Sequence, residues 1–163
     1  MSVRVSQRAT HTSRRTIRAL IRNARILGFD TNALIYLLEQ VPPYHQWLHG
    51  VFESIQAGDR TAVVSVMCEA EMRVQPLRMG NRGMSGKQEL TLAHPSVLVV
   101  PVDRDIARKG AEIRAELDLK LPDALIVATA VIHNCDALIG NDKACAQRVT
   151  EIPYIYLDEA VKA

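Results

Sequence analysis

Four acids in the 163-residue chain sit where carboxylate chemistry can be done: Asp30, Glu71, Asp123 and Asp142. Asp30 directly follows the apolar run Arg25-Ile26-Leu27-Gly28-Phe29. Asp142 follows Asp136-Ala137-Leu138-Ile139 by way of Gly140 and Asn141, and Glu71 lies in the second turn of a helix pattern that opens at Ser65. Asp123 falls in the first turn of a helix begun by Pro122, where the helix dipole favours an anion. Its i+3, i+4 and i+7 neighbours are Ile126, Val127 and Ala130, so this carboxylate lies on a face that packs inward. Two unit charges about 4 Å apart repel by roughly 4 kcal/mol at an effective dielectric of 20. Four converging carboxylates therefore protonate or spread apart unless a cation neutralises them. Oxygen donors without a partnering Cys or His favour Mg²⁺ or Mn²⁺ over zinc. Such an ion keeps open, water-filled positions, binds a phosphate oxygen and acidifies a bound water that attacks phosphorus.

Each acid also has a plainer use. Asp30 can cap the helix starting at Thr31, Asp123 can serve its own helix N-terminus, and Asn141 and Asp142 can be turn residues. Glu69 rivals Glu71, but residues two apart on a helix point about 200° apart, so only one faces a cleft. Spacing from Ser65 selects Glu71. A shared site is favoured because all four acids fall at one edge of one sheet, beyond the carboxyl ends of its strands, where open parallel sheets bind ligands.

The elements that place them alternate between two periods. Short apolar runs at 25–29, 61–64, 97–100, 136–139 and 154–157 read as strands. Helix patterns occupy 32–39, 44–56, a stretch from Ser65 that carries Glu69 and Glu71, 103–118 and 122–134, while Pro42-Pro43 is a break. Gly80, Gly83 and Gly86 mark a loop, followed by a short helix from Lys87 to Ala93. Strands of this kind separated by helices call for an α/β fold, a parallel sheet of about five strands covered on both faces.

Seven arginines between Arg4 and Arg25 precede the first acid, Asp30, and leave 13 basic against 18 acidic residues beyond them. Residues 1–24 are thus a basic N-terminal extension, part of it an amphipathic helix with Ile17, Leu20, Ile21 and Ala24 on one face; residues 25–163 are the domain. A transit peptide, an over-long start or a docking arm all fit its composition. The net negative remainder does not draw nucleic acid by overall field, so RNA binding needs a local basic patch or a cation among the carboxylates. Lys143, Arg73, Arg78 and Arg82 are the candidates to touch phosphates. Arg104, Arg108 and Arg114 alternate with acids and read as a solvated face. Trp47 and Phe52 read as core or dimer-contact residues, and His45 and His49 as helix surface. No apolar run reaches the roughly 20 residues of a membrane span. Cys68, Cys135 and Cys145 form no pairable or CxxC pattern, which fits a cytoplasmic protein.

Arg25 to Leu157 resembles the PIN-domain family, and within it the VapC-type ribonuclease toxins. The opening strand with Asp30-Thr31-Asn32 is similar to the family's DTN-like signature. Leu121-Pro122-Asp123-Ala124-Leu125-Ile126 is similar to its PDALI-like segment, Asn141-Asp142 to its ND pair, and Val64-Ser65 with Glu71 and Pro76-Leu77-Arg78 to its Ser…Glu helix. The sequence departs at Gly140, where Ser or Thr is common, and at Lys143-Ala144-Cys145, which lacks the usual aromatic. The resemblance implies a PIN-like three-layer α/β/α sandwich and an endoribonuclease that hydrolyses RNA phosphodiesters with one or two Mg²⁺ or Mn²⁺ ions. Asp30 and Asp123 would be the principal ligands, with Glu71 and Asp142 completing the site and orienting water. Thr31, Asn141 and Ser65 would hold the carboxylates in place. It further implies a cognate antitoxin and a homodimer. A PIN nuclease of RNA processing without a toxin role, and a catalytically silent module binding RNA or protein, are the alternatives. A Rossmann-type nucleotide binder is disfavoured, since no GxGxxG follows the first strand.

Overall fold

The computed structural model describes residues 14–162, and the stretch before them, with Arg4 and Arg8, lies outside the described residues. The apolar runs become β1 (Ile26–Phe29), β2 (Thr61–Ser65), β3 (Val97–Val100), β4 (Ala137–Gly140) and β5 (Tyr154–Tyr156). They pair in parallel in the order β3-β2-β1-β4-β5. Burial follows that order. The central strands β1, β2 and β4 are buried almost continuously, whereas the edge strands are partly open to solvent, β3 at Leu98 and Val99 and β5 at Tyr154 and Tyr156.

Nine helices of the described residues connect and cover the strands: α1 (Arg14–Asn23), α2 (Thr31–Leu38), α3 (Tyr44–Gln56), α4 (Val66–Met79), α5 (Arg82–Leu92), α6 (Arg104–Leu117), α7 (Leu121–Ile132), α8 (Lys143–Arg148) and α9 (Leu157–Ala160). Gly28 marks one face of the sheet. A Cβ there would lie 3.1 Å from Ala130 Cβ, so Gly28 lets the alanine-rich α7 approach the sheet closely. Gly110 does the same where α6 crosses α7, since its Cβ would meet Leu125 at 2.7 Å. Side chains alternate along a strand, so Phe29 faces the other way. There it meets Phe52 of α3 edge to face, with centroids 6.0 Å apart. Helices on both faces of one sheet make the α/β/α sandwich.

The basic helix α1 packs on this body. Ile17 and Ala24 are buried, and Arg60 donates to Ile21 O at 2.8 Å and Ala24 O at 3.1 Å, capping the helix end while its other nitrogen holds Ser54 Oγ.

One expectation is corrected. The glycine-marked loop is helical: α5 starts at Arg82 and runs through Gly83 and Gly86. Of these three glycines only Gly80 has a positive φ, 61°, and it ends α4. Asn81 then caps α5 by accepting from Met84 N at 2.9 Å. The two later glycines cost helix propensity, and the burial of Leu92 offsets part of that cost, while Gln88 is buried with its Oε1 unpartnered among the described residues. Gln88 also explains how α4 continues through Pro76, which has no N–H to give Met72 O. The Gln88 side-chain amide donates to that carbonyl instead, at 2.8 Å. The short helices α8 and α9 have no counterpart in the sequence reading.

Candidate active site

Four strand–helix junctions are built alike. Asp30, Ser65, Asp103 and Asp142 each accept a backbone N–H of the helix that follows, from Ala33 at 2.8 Å, Met67 at 3.2 Å, Ile106 at 2.9 Å and Cys145 at 2.7 Å. Capping is thus a true role of Asp30 and Asp142, and it occupies one oxygen of each. Asp103 shows what a cap alone looks like: it is exposed, with no acid of the group beside it. Asp30 is different, being 8% exposed, with Oδ2 accepting from Asn141 N and from the Tyr154 hydroxyl, both at 3.1 Å. Burial pushes its carboxyl up to about 6, against the lowering effect of those hydrogen bonds and with help from the charge of Asp142.

Glu71 projects from α4 to the same edge. Thr31 Oγ1 donates to its Oε2 at 2.5 Å, and its charge is felt at Asp123. Glu69 points elsewhere, into a pair with Arg73 at 2.7 Å, which also bridges to Glu89 at 2.7 Å. The helical turn between the two glutamates separates their directions. Asp123, half-buried in the first turn of α7, has its carboxyl raised by burial first and then by Asp142 and Glu71, with Lys120 opposing. Among the described residues no hydrogen bond reaches the Asp123 carboxylate. The charge of Asp142 acts on both Asp30 and Asp123, so the four acids share one field.

The other sequence candidates divide. Asn141 holds Asp30 through its backbone N–H, not its side chain. The side chain instead clamps the start of α9, accepting from Asp158 N at 3.0 Å and donating to Asp158 Oδ1 at 3.3 Å. The Ser65 hydroxyl is engaged in the α4 cap. Arg73 is tied between two glutamates, which leaves it poorly placed to meet a phosphate. Lys143 is exposed and adjoins Asp142 at the start of α8, and Arg78 and Arg82 are exposed where α4 turns into α5.

Sequence reasoning missed Tyr154 and Asp158. Tyr154 is a strand residue by pattern, and burial followed by the charge of Asp30 drives its hydroxyl far above the usual range. Asp158 accepts from Tyr44 at 2.6 Å and Tyr156 at 2.9 Å, and the Tyr44 bond leads in holding its carboxyl low. Tyr156 apart, the partners of these two residues are remote in sequence, so no local signal marks either of them.

The donor set suits a hard divalent cation. It offers four carboxylates with oxygen donors only, and among the described residues none of them is in a salt bridge. As they stand, no three metal-ligating side chains of the described residues close on one point. The carboxyls of Asp30 and Asp123 are nonetheless both raised, by burial first and then by the charge of Asp142, joined by Glu71 at Asp123, the condition that a bound cation relieves.

A family model described as the PIN domain matches residues 29–151. No curated protein matches the chain. Among solved structures, VapBC2 from Rickettsia felis bound to a DNA fragment from their promoter aligns with a TM-score of 0.67 and 18% identity, over 80% of this chain and 98% of that one. A toxin–antitoxin complex from Klebsiella pneumoniae aligns at 0.54 with 27% identity, over 78% and 98%. VapC20 from Mycobacterium tuberculosis, a sarcin-ricin loop cleaving toxin, aligns at 0.59 with 16% identity, over 78% and 98%. Among the described residues no helix is long and apolar enough to cross a membrane.

Proposed function

The chain belongs to the PIN-domain family, and from that premise we propose that it is a Mg²⁺- or Mn²⁺-dependent endoribonuclease, the toxin of a toxin–antitoxin pair. The observation that carries this reading is the gathering of Asp30, Glu71, Asp123 and Asp142 at one sheet edge with, among the described residues, no salt bridge to any of them. Asp30 and Asp123 would hold the ion, with Glu71 and Asp142 completing its surroundings. When bound, the ion neutralises charge at the scissile phosphate and makes a water more acidic.

The chain's own residues do the rest. Three hydrogen bonds keep Asp30 in one rotamer. Thr31 holds Glu71 by Oε2, which leaves Oε1 free as the atom that takes a proton from the attacking water. Asp142 keeps Oδ2 free while Oδ1 caps α8. Lys143, exposed beside Asp142, is placed to meet an RNA phosphate. The toxin role is supported by likeness to the Rickettsia and Klebsiella complexes, and with it come an antitoxin partner, a homodimer and a cytoplasmic setting.

The test is RNA cleavage by the purified chain with Mg²⁺ or Mn²⁺, with and without chelator. Wild type cleaves, whereas Asp30→Asn, Asp123→Asn and chelated wild type do not. A wild type no more active than Asp123→Asn overturns the enzyme reading. Growth arrest on expression, relieved by a small protein encoded alongside, tests the toxin role separately.

A further inference from the structure

Tyr154 opens β5 at the sheet edge, with β4 between it and β1, yet its hydroxyl meets two of the four acids. It donates to Asp30 Oδ2 at 3.1 Å and accepts the backbone N–H of Asp142 at 3.1 Å. A phenol has one proton to give, so its only donation goes to Asp30. The path over β4 is open because residue 140 is glycine. A Cβ there would overlap both Asp30 Oδ2 and the Tyr154 hydroxyl, so the two groups share a hollow that any side chain would fill.

The lone pairs of Asp30 can be counted. Oδ2 accepts from Asn141 and Tyr154, which engages both of its in-plane positions, and Oδ1 accepts from Ala33, which leaves one. Asp30 therefore presents a single oxygen lone pair to the cleft.

We infer that Tyr154 is the positioning residue of the acidic site: seated in the Gly140 hollow, it fixes the rotamer of Asp30 and registers it against Asp142, so that a divalent cation meets one preset donor. The inference rests on reading the four acids as a cation site. Tyr156 supplies an internal contrast. It lies two residues along the same strand and gives its hydroxyl to Asp158 instead.

The experiment is Mn²⁺ titration of the full chain by calorimetry, without RNA, with thermal unfolding of each variant as the check on folding. Tyr154→Phe keeps the ring and loses the hydroxyl, and it should weaken Mn²⁺ binding by about 10- to 100-fold, the usual effect of removing a hydrogen-bond partner of a metal ligand. Tyr156→Phe should bind as wild type does. Gly140→Ala invades the hollow that the phenol shares with the Asp30 carboxylate and should weaken binding at least as much, so it tests the hollow if Tyr154→Phe does not fold, and wild-type affinity there overturns the inference. A folded Tyr154→Phe or Gly140→Ala with wild-type affinity overturns the role of Tyr154. A wild type that takes no Mn²⁺, or an Asp123→Asn variant that binds as wild type does, defeats the cation site itself and the inference with it. Loss in Asp123→Asn but not in Tyr154→Phe defeats the inference alone.

Discussion

Replacing Asp30 by Asn should stabilise the metal-free protein above pH 6. Asp30 is 8% exposed, and burial lifts its carboxyl from 3.8 to about 6. At 1.36 kcal/mol per pH unit, that gap corresponds to about 3 kcal/mol, with little solvent screening to discount at a site so buried. The native state binds the proton more tightly than the unfolded chain, so the contribution is fully present below pH 3.8 and is lost as pH rises through about 6. Above that, native Asp30 carries a charge it holds less well than water would. Asn has no charge to lose, although its amide nitrogen must face the Ala33 N–H on one side or the Asn141 N–H and Tyr154 hydroxyl on the other, a mismatch that costs about 1 kcal/mol. A net gain of about 2 kcal/mol is expected at pH 8. Urea unfolding of both proteins in chelator, from pH 4 to pH 8, measures it. The stability of Asp30→Asn minus that of wild type should rise by about 2–3 kcal/mol across this range and level off near pH 7. A flat difference would refute the claim that burial, and not the three hydrogen bonds, governs this carboxylate.

The two glutamates of α4 separate chemistry from salt bridging. Glu71→Gln should lower RNA cleavage by about 100-fold or more, while Glu69→Gln, which only breaks a partly buried pair with Arg73, should change cleavage little and stability by less than about 1 kcal/mol. Gln88→Met should destabilise by about 1–3 kcal/mol by orphaning Met72 O. In a Pro76→Ala background, where the backbone N–H returns, the same change should cost under about 0.5 kcal/mol, and equal costs in a denaturation cycle would exclude the proposed compensation. Arg60→Ala should lose about 1–3 kcal/mol and lower hydrogen-exchange protection in α1, whose last carbonyls it caps. Unchanged protection there would show that α1 is held by Ile17 alone.

Legibility in the sequence followed the range of the interactions. Asp30 and Ser65 were readable as caps because a cap joins residues two or three apart, whereas Asp142 read as a turn residue because the short helix it caps was not legible. The strands were readable because β1, β2 and β4 are buried on both faces and so are almost wholly apolar. Gly83 and Gly86 misled, since glycine weakens a helix by propensity alone and says nothing of the packing that Leu92 contributes. Asn141 was readable as a site neighbour, but which of its groups did the holding was not, because its side-chain partner is Asp158 on a helix the pattern did not reveal.

The order of amino acids by itself determined the parallel α/β architecture, the family, the acids Asp30 and Asp142 that follow strands, and Glu71 and Asp123 in the early turns of helices, because periodicity and helix-start signals are local. Only the tertiary structure decided which oxygen of Asp30 keeps a lone pair unused, that Glu69 turns away to Arg73, and that Tyr154 reaches Asp30 across 124 positions of sequence. Such contacts depend on how β5 lies against β4 and on the side chain Gly140 lacks. They arise from relative placement in space, which no local window of residues encodes.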